Sequence, residues 1–212
     1  MNYRELGSTG LKVSEIAMGC EGMTEENCTM CAKLFDIAEE SDINYFDLYS
    51  SNPELRSAVG KALKGRREKF IIQSHLCSVW KNEQYMRTRN LAEVKAGFEE
   101  MMRLLQTDYI DVGMIHYCDA LSDWDEILRN GILDYARELK AAGKIRHIGI
   151  SNFNLSECKQ AKMILDKAEI PLYGVQNHYS LIARDWEKNG VVGWCRENGI
   201  SFWAWAVLGI AV

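Results

Sequence analysis

The chain lacks any excess of positive charge: 25 Lys and Arg stand against 30 Asp and Glu, a formal net charge of -5. There is therefore no electrostatic reason to expect nucleic acid or an anionic membrane as a partner. The basic residues are scattered, apart from Lys64-Gly65-Arg66-Arg67, which reads as a solvated loop. No apolar run approaches the roughly eighteen residues of a membrane span, and no basic, apolar, small-residue leader precedes the fold. Seven cysteines, an odd number spread through predicted strands and helices, fit free buried thiols in a reducing compartment better than a disulfide framework. A cytoplasmic protein without nucleic acid or membrane partners is the expectation. Cys28 and Cys31 form a CxxC, but both fall in a predicted helix with no second Cys or His pair beside them. Ordinary helix residues are expected there rather than a metal or redox site. Also missing is a GxGxxG or P-loop after the first predicted strand, which counts against the nucleotide-binding open sheets.

What is present is a length of 212 residues, 47% hydrophobic, enough for one sizeable core, and a single domain over 1–212 is the default. A hairpin turning at Gly7-Ser8-Thr9-Gly10 is followed by seven strand-like segments: Glu15 to Gly19, Asn44 to Tyr49, Phe70 to His75, Tyr109 to His116, Ile145 to Ser151, Leu172 to Asn177 and Ser201 to Val207. Helix patterns lie between them. In the clearest, Leu91, Val94, Phe98, Met101 and Leu105 form one stripe behind a capping-box-like Asn90 and Glu93, a device that Asn154 and Glu157 repeat. Strict alternation implies a parallel sheet with helical crossovers, and a TIM (β/α)8-type barrel is preferred. A full barrel takes ~250 residues, so an incomplete α/β barrel is expected, with seven strands and the eighth missing. Its first and last strands would then carry unpaired backbone groups, an invitation to self-association.

The segment from Asn44 to Leu63 is the most informative. Asn44 to Tyr49 is an apolar, aromatic run of strand length; Asn52 and Pro53 have the form of an N-cap and a first-turn proline, with Glu54 favouring the positive helix end. Asp47 thus stands at the C-terminal end of a strand, where parallel α/β folds bind their ligands.

Those residues, with Tyr3 to Ser14, Asp108 to Tyr117 and Gly143 to Phe153, resemble the aldo-keto reductases over essentially the whole chain, and the fourth-strand segment is similar to that of a bacterial branch. The resemblance implies NADPH-dependent reduction of an aldehyde or ketone to an alcohol. In that family a nicotinamide gives hydride to a carbonyl carbon and a tyrosine gives a proton to its oxygen. A lysine and an aspartate tune the tyrosine, and a histidine orients the substrate. Asp47 and His116 match the aspartate and the histidine. Asn52 stands at the tyrosine position and His75 at the lysine position, so the site is expected to be degenerate and turnover slow or absent. Asn52 has a simple role as a helix cap. His75, paired with Asp47, either acts as a replacement acid or fills a polar niche at the barrel mouth. Tyr49, two residues from Asp47 on the same strand face, is a weaker candidate donor. For the cofactor, Ser151 and Asn152 match the pair that binds the nicotinamide carboxamide, Gln176 its glutamine partner and Trp205 the aromatic stacked on the ring. The residues that hold the adenosine phosphate in the family have no counterpart, and weak NADP binding is expected. The alternative is a catalytically inactive barrel that binds a small ligand or a partner protein.

Overall fold

The computed structural model describes residues 1–23, 26–116, 118, 120–151 and 153–208. Its strands in chain order are β1 (Tyr3–Glu5), β2 (Lys12–Ser14), β3 (Met18–Gly19), β4 (Tyr45–Leu48), β5 (Ile71–Leu76), β6 (Ser78–Lys81), β7 (Gln84–Arg87), β8 (Ile110–Ile115), β9 (Ile145–Ser151), β10 (Leu172–His178) and β11 (Ser201–Trp205). The helices are α1 (Cys28–Glu40), α2 (Pro53–Leu63), α3 (Leu91–Leu105), α4 (Leu121–Arg129), α5 (Ile132–Ala141), α6 (Leu155–Lys167), α7 (Asp185–Lys188) and α8 (Val191–Glu197). None is long and apolar enough to cross a membrane.

Among the described residues, seven strands form one parallel sheet in the order β11-β10-β9-β8-β5-β4-β3, curled as part of a TIM-type barrel. These are the seven segments that the alternation predicts, with ends that differ from the expected ones by no more than three residues. The N-terminal hairpin is also present, with Tyr3 opposite Ser14.

Side-chain alternation along the strands separates two cores. Phe46 and Leu48 of β4 point outward to the helices, where Phe46 stacks on Phe35 of α1 with ring centroids 4.2 Å apart. Tyr45, on the other face, packs inside the barrel with Val112 and Met114 of β8 and with Leu6 and Val13 of the hairpin. The β1–β2 hairpin thereby plugs the N-terminal end of the barrel, and the polar inner residues are left for the C-terminal end.

Helix α2 lies so close to α3 that a Cβ on Gly60 would stand 2.2 Å from the Leu104 carbonyl oxygen and 2.9 Å from the Leu105 Cα. Backbone cannot give way there as a side chain can. Gly60→Ala is expected to destabilise the protein by about 1–3 kcal/mol, the usual range for overpacking, and urea unfolding measures it.

A second hairpin, β6–β7, departs from the sequence expectation, which drew no strand between His75 and Asn90. It pairs Trp80 with Tyr85 and turns through Asn82 and Glu83, both at positive φ (51° and 58°). Two left-handed residues match the twist of a two-residue hairpin, but only Asn82 carries the usual signal; Glu83 replaces the expected glycine.

Candidate active site

Each strand of a parallel barrel presents alternate residues inward, and their last inward residues converge at the C-terminal mouth. Here β4 brings Asp47, β5 brings His75, the residue after β8 is His116, and β9 and β10 bring Ser151 and Gln176. With Glu21, Tyr49 and Trp205 they line one cavity of about 230 Å³.

The polar side chains form a continuous chain. His75 Nε2 lies 3.1 Å from Asp47 Oδ1, and its Nδ1 lies 2.9 Å from Nδ1 of His116. That same His116 nitrogen is 2.6 Å from Ser151 Oγ. On the other side, Gln176 Nε2 donates to Asp47 Oδ2 at 2.6 Å, Gln73 Nε2 donates to Gln176 Oε1 at 3.1 Å, and Tyr45 Oη donates to Gln73 Oε1 at 2.5 Å. Gln73, His75, His116 and Ser151 are buried. Tyr49 stands edge-on to both imidazoles, at centroid distances of 5.5 and 5.3 Å, and stacks on Tyr85 of the β6–β7 hairpin at 5.0 Å. The hairpin thus walls one side of the cavity.

The electrostatics follow from this packing. Burial works against the Asp47 carboxylate, but the charge and hydrogen bond of His75 and the amides of Gln176 and Gln73 outweigh it, and its pKa lies below the ordinary value. His116 is driven far below the ordinary imidazole range, first by burial and then by the positive charges of His75, Arg89 and Arg87. It rests neutral. Glu21 is raised, by burial foremost and also by its neighbour Asp47.

Of the positions singled out in the sequence, Asp47, His75, His116, Ser151, Gln176 and Trp205 come together. Asn52 is not among the residues lining the cavity; its Oδ1 accepts from the backbone N–H of Glu54 (2.8 Å) and Leu55 (3.4 Å) and caps α2. Asn152 lies outside the described residues. Asn177 holds Phe153 by both backbone groups, at 3.0 and 2.8 Å. Asn154 and Glu157 make the reciprocal capping box of α6. Asn90 caps α3, whereas Glu93 turns away to Thr88 Oγ1 at 2.5 Å and to Lys81. Cys28 and Cys31 lie in α1, and no group of metal-ligating side chains occurs among the described residues.

Gln73, Glu21 and Tyr85 were missed by sequence reasoning. Gln73 carried a signal, a polar residue two positions before His75 and so on the same inner face. Glu21 and Tyr85 sit on a loop and a hairpin whose placement no local pattern reveals.

A curled parallel sheet with a polar cluster at the C-terminal ends of its strands is the architecture of part of a TIM-type barrel. Residues 28–211 match the model of the aldo/keto reductase family, and the chain belongs to that family. It is 30% identical over 215 residues to the aldo-keto reductase YhdN of Bacillus subtilis, covering 95% of this chain and 60% of that protein. It is 27% identical to the protein tas of Escherichia coli, covering 99% of this chain and 68% of the relative. Among solved structures, the holo form of aldo-keto reductase AKR11C1 from Bacillus halodurans superposes with a TM-score of 0.78 at 28% identity, covering 95% of this chain and 65% of the other. The chain thus spans about three fifths to two thirds of the length of these relatives.

Proposed function

We propose that the chain is an NADPH-dependent reductase of aldehydes or ketones working with a degenerate proton-donor set. One observation carries the reading: the family's aspartate and histidine positions, Asp47 and His116, share a single cavity with Ser151, Gln176 and Trp205. That cavity fits the nicotinamide end of the cofactor. Trp205 and Tyr49 offer aromatic walls, while Ser151 and Gln176 offer a hydroxyl and an amide at the strand ends for a carboxamide. When bound, the reduced nicotinamide supplies a hydride. The chain's own residues orient the carbonyl from His116 and keep Asp47 anionic beneath it. Asn152 is proposed to share the carboxamide with Ser151.

The commitment of the Asn52 amide to capping α2 favours a second reading, a catalytically inactive barrel that holds a small ligand or a partner protein. The two are separated by cofactor fluorescence on titration with NADPH, followed by loss of cofactor absorbance with a panel of aldehydes. Binding with slow turnover supports the reductase, and binding without any turnover supports the second reading. The dissociation constant is expected to be weaker than about 1 μM, which corresponds to ~8 kcal/mol. A tighter value would mean that further residues hold the phosphates.

Self-association is part of the proposal for the 212-residue polypeptide. Strands β3 and β11 are the edges of the sheet among the described residues, and a groove of about 790 Å³ runs between them along Met18, Gly19, Ser201 and Trp203. Unpaired strand edges recruit other strands. Light scattering is expected to show species larger than a monomer, and a compact monomer at high concentration would contradict this.

A further inference from the structure

Asp47 is held from two sides, and on the side away from His75 the reductase reading gives a role to Gln176 but none to the residues behind it. There Tyr45 Oη donates to Gln73 Oε1 at 2.5 Å, Gln73 Nε2 donates to Gln176 Oε1 at 3.1 Å, and Gln176 Nε2 donates to Asp47 Oδ2 at 2.6 Å. An amide has a donor at one end and an acceptor at the other, whereas an ionised carboxylate only accepts. The direction of the series therefore follows from its last member. Gln176 must turn Nε2 to Asp47, which leaves its Oε1 for Gln73. Gln73 must then turn Nε2 to Gln176, which leaves its own Oε1 for a donor. Tyr45 supplies that donor, and phenylalanine in the same apolar cluster of Leu6, Val13, Val112 and Met114 would not.

Packing alone gives no reason for this series. Tyr45, Gln73 and Gln176 are all buried, where polar groups cost free energy unless they are matched, and apolar side chains would not. Burial first, then the charges of Asp47 and Asp111, push the Tyr45 hydroxyl up, so it keeps its proton and remains a donor. Gln73 Nε2 also lies 3.4 Å from His75 Nε2. That nitrogen faces the Asp47 carboxylate at 3.1 Å, which requires a proton on it and leaves no lone pair for Gln73. Gln176 is thus the acceptor that Gln73 serves.

We propose that Tyr45 and Gln73 are positioning residues: their hydrogen bonds in series hold the Gln176 amide at both ends, against Asp47, in the orientation that a bound nicotinamide carboxamide meets. The inference rests on the reductase reading for the ligand and on the hydrogen bonds alone for the lock. With no donor at position 73, Gln176 is held only at Nε2, its Oε1 is left unmatched, and the amide swings toward the cavity that it lines, loosening its bond to Asp47. Tyr45 acts one bond further back, by polarising the Gln73 amide. The lock also reaches the carboxylate. Against burial, His75 foremost and then the amides of Gln176 and Gln73 hold the Asp47 pKa down, so a loosened amide lets it rise. The other titratable groups around Asp47 are Cys20 and Glu21 after β3 and Tyr45 on its own strand.

The first test is NMR of the protein without cofactor. In the ¹H–¹⁵N spectrum Gln176 is expected to show one side-chain amide proton well downfield of an ordinary glutamine pair, the proton that faces Asp47. Gln73→Met keeps the length of the side chain and removes its amide. In that variant the Gln176 proton should return upfield, and the Asp47 pKa, read from its ¹³C carboxyl shift, should rise. Tyr45→Phe, which removes a single oxygen, should move both signals the same way by less, and it carries the test alone if circular dichroism shows Gln73→Met unfolded. The second test is fluorescence titration with NADPH, whose binding Gln73→Met should weaken by roughly 2–10-fold, the worth of one hydrogen bond. A Gln176 proton and an Asp47 pKa that stay put in the folded variants would overturn the lock, whatever the cofactor does. Signals that move while NADPH affinity is unchanged would overturn the positioning of the carboxamide. An unaltered protein that shows the downfield proton but binds no NADPH would overturn the reductase reading and leave the lock standing.

Discussion

Asn52→Tyr combined with His75→Lys is expected to raise the rate of NADPH-dependent aldehyde reduction by about 10²–10⁴-fold, the range a positioned general acid contributes. A phenol with an ordinary pKa of ~10 is a poor acid near neutral pH, and a neighbouring ammonium group favours its anion. Lysine at position 75 would stand where His75 now meets Asp47 and keep a carboxylate partner. The single changes should not add. Asn52→Tyr alone supplies a phenol without its lysine, while His75→Lys alone removes the imidazole and supplies no phenol, so it should slow whatever turnover exists. A double-mutant cycle on kcat/KM measures the coupling. Because the Asn52 side chain caps α2, Asn52→Tyr should also cost about 0.5–2 kcal/mol of stability, visible as a lower Tm. Additive rate effects would show that positions 52 and 75 do not act on one another.

Asp47→Ala is expected to cost about 3–5 kcal/mol, as when one partner of a buried pair is removed, a large part of the ~5–15 kcal/mol that stabilises a typical domain. The carboxylate accepts from both His75 and Gln176, and its side chain is 18% exposed, so little water replaces it. The effect should depend on pH. The folded-state pKa of Asp47 is depressed, against burial, by His75 and by the amides of Gln176 and Gln73. The folded state therefore binds fewer protons than the unfolded one in the acid range, and stability rises with pH there. The contribution is complete above the unfolded value of ~3.9 and is lost as pH falls through the lower folded value. Urea unfolding of the unaltered protein and of Asp47→Asn should thus differ at neutral pH and converge in strong acid. A gap that stays constant into strong acid would show that Asp47 acts through shape rather than charge.

Much of this protein is determined by local pattern. The alternation of period-two and period-3.6 segments gives the seven parallel strands, and Asn52, Asn90 and Asn154 mark helix starts by side-chain chemistry that acts within three residues. Strand-end position also identifies Asp47, His75 and His116 as residues that could meet, because the inward face and the C-terminal end are both readable from one strand at a time. What one strand cannot reveal is which inward residue touches which across the sheet. The register that sets Asp47 beside Gln73, His75 beside Met114 and Gln176 beside Ser151 depends on strand stagger and barrel curvature, properties of the whole sheet. So the Nδ1–Nδ1 contact, the part played by Gln73 and the wall that Tyr85 builds over Tyr49 were decided by tertiary structure. The division between Asn90 and Glu93 has the same cause: the cap is local and formed as its sequence predicts, whereas Glu93 answered to Thr88 and Lys81, which only the folded hairpin brings within reach.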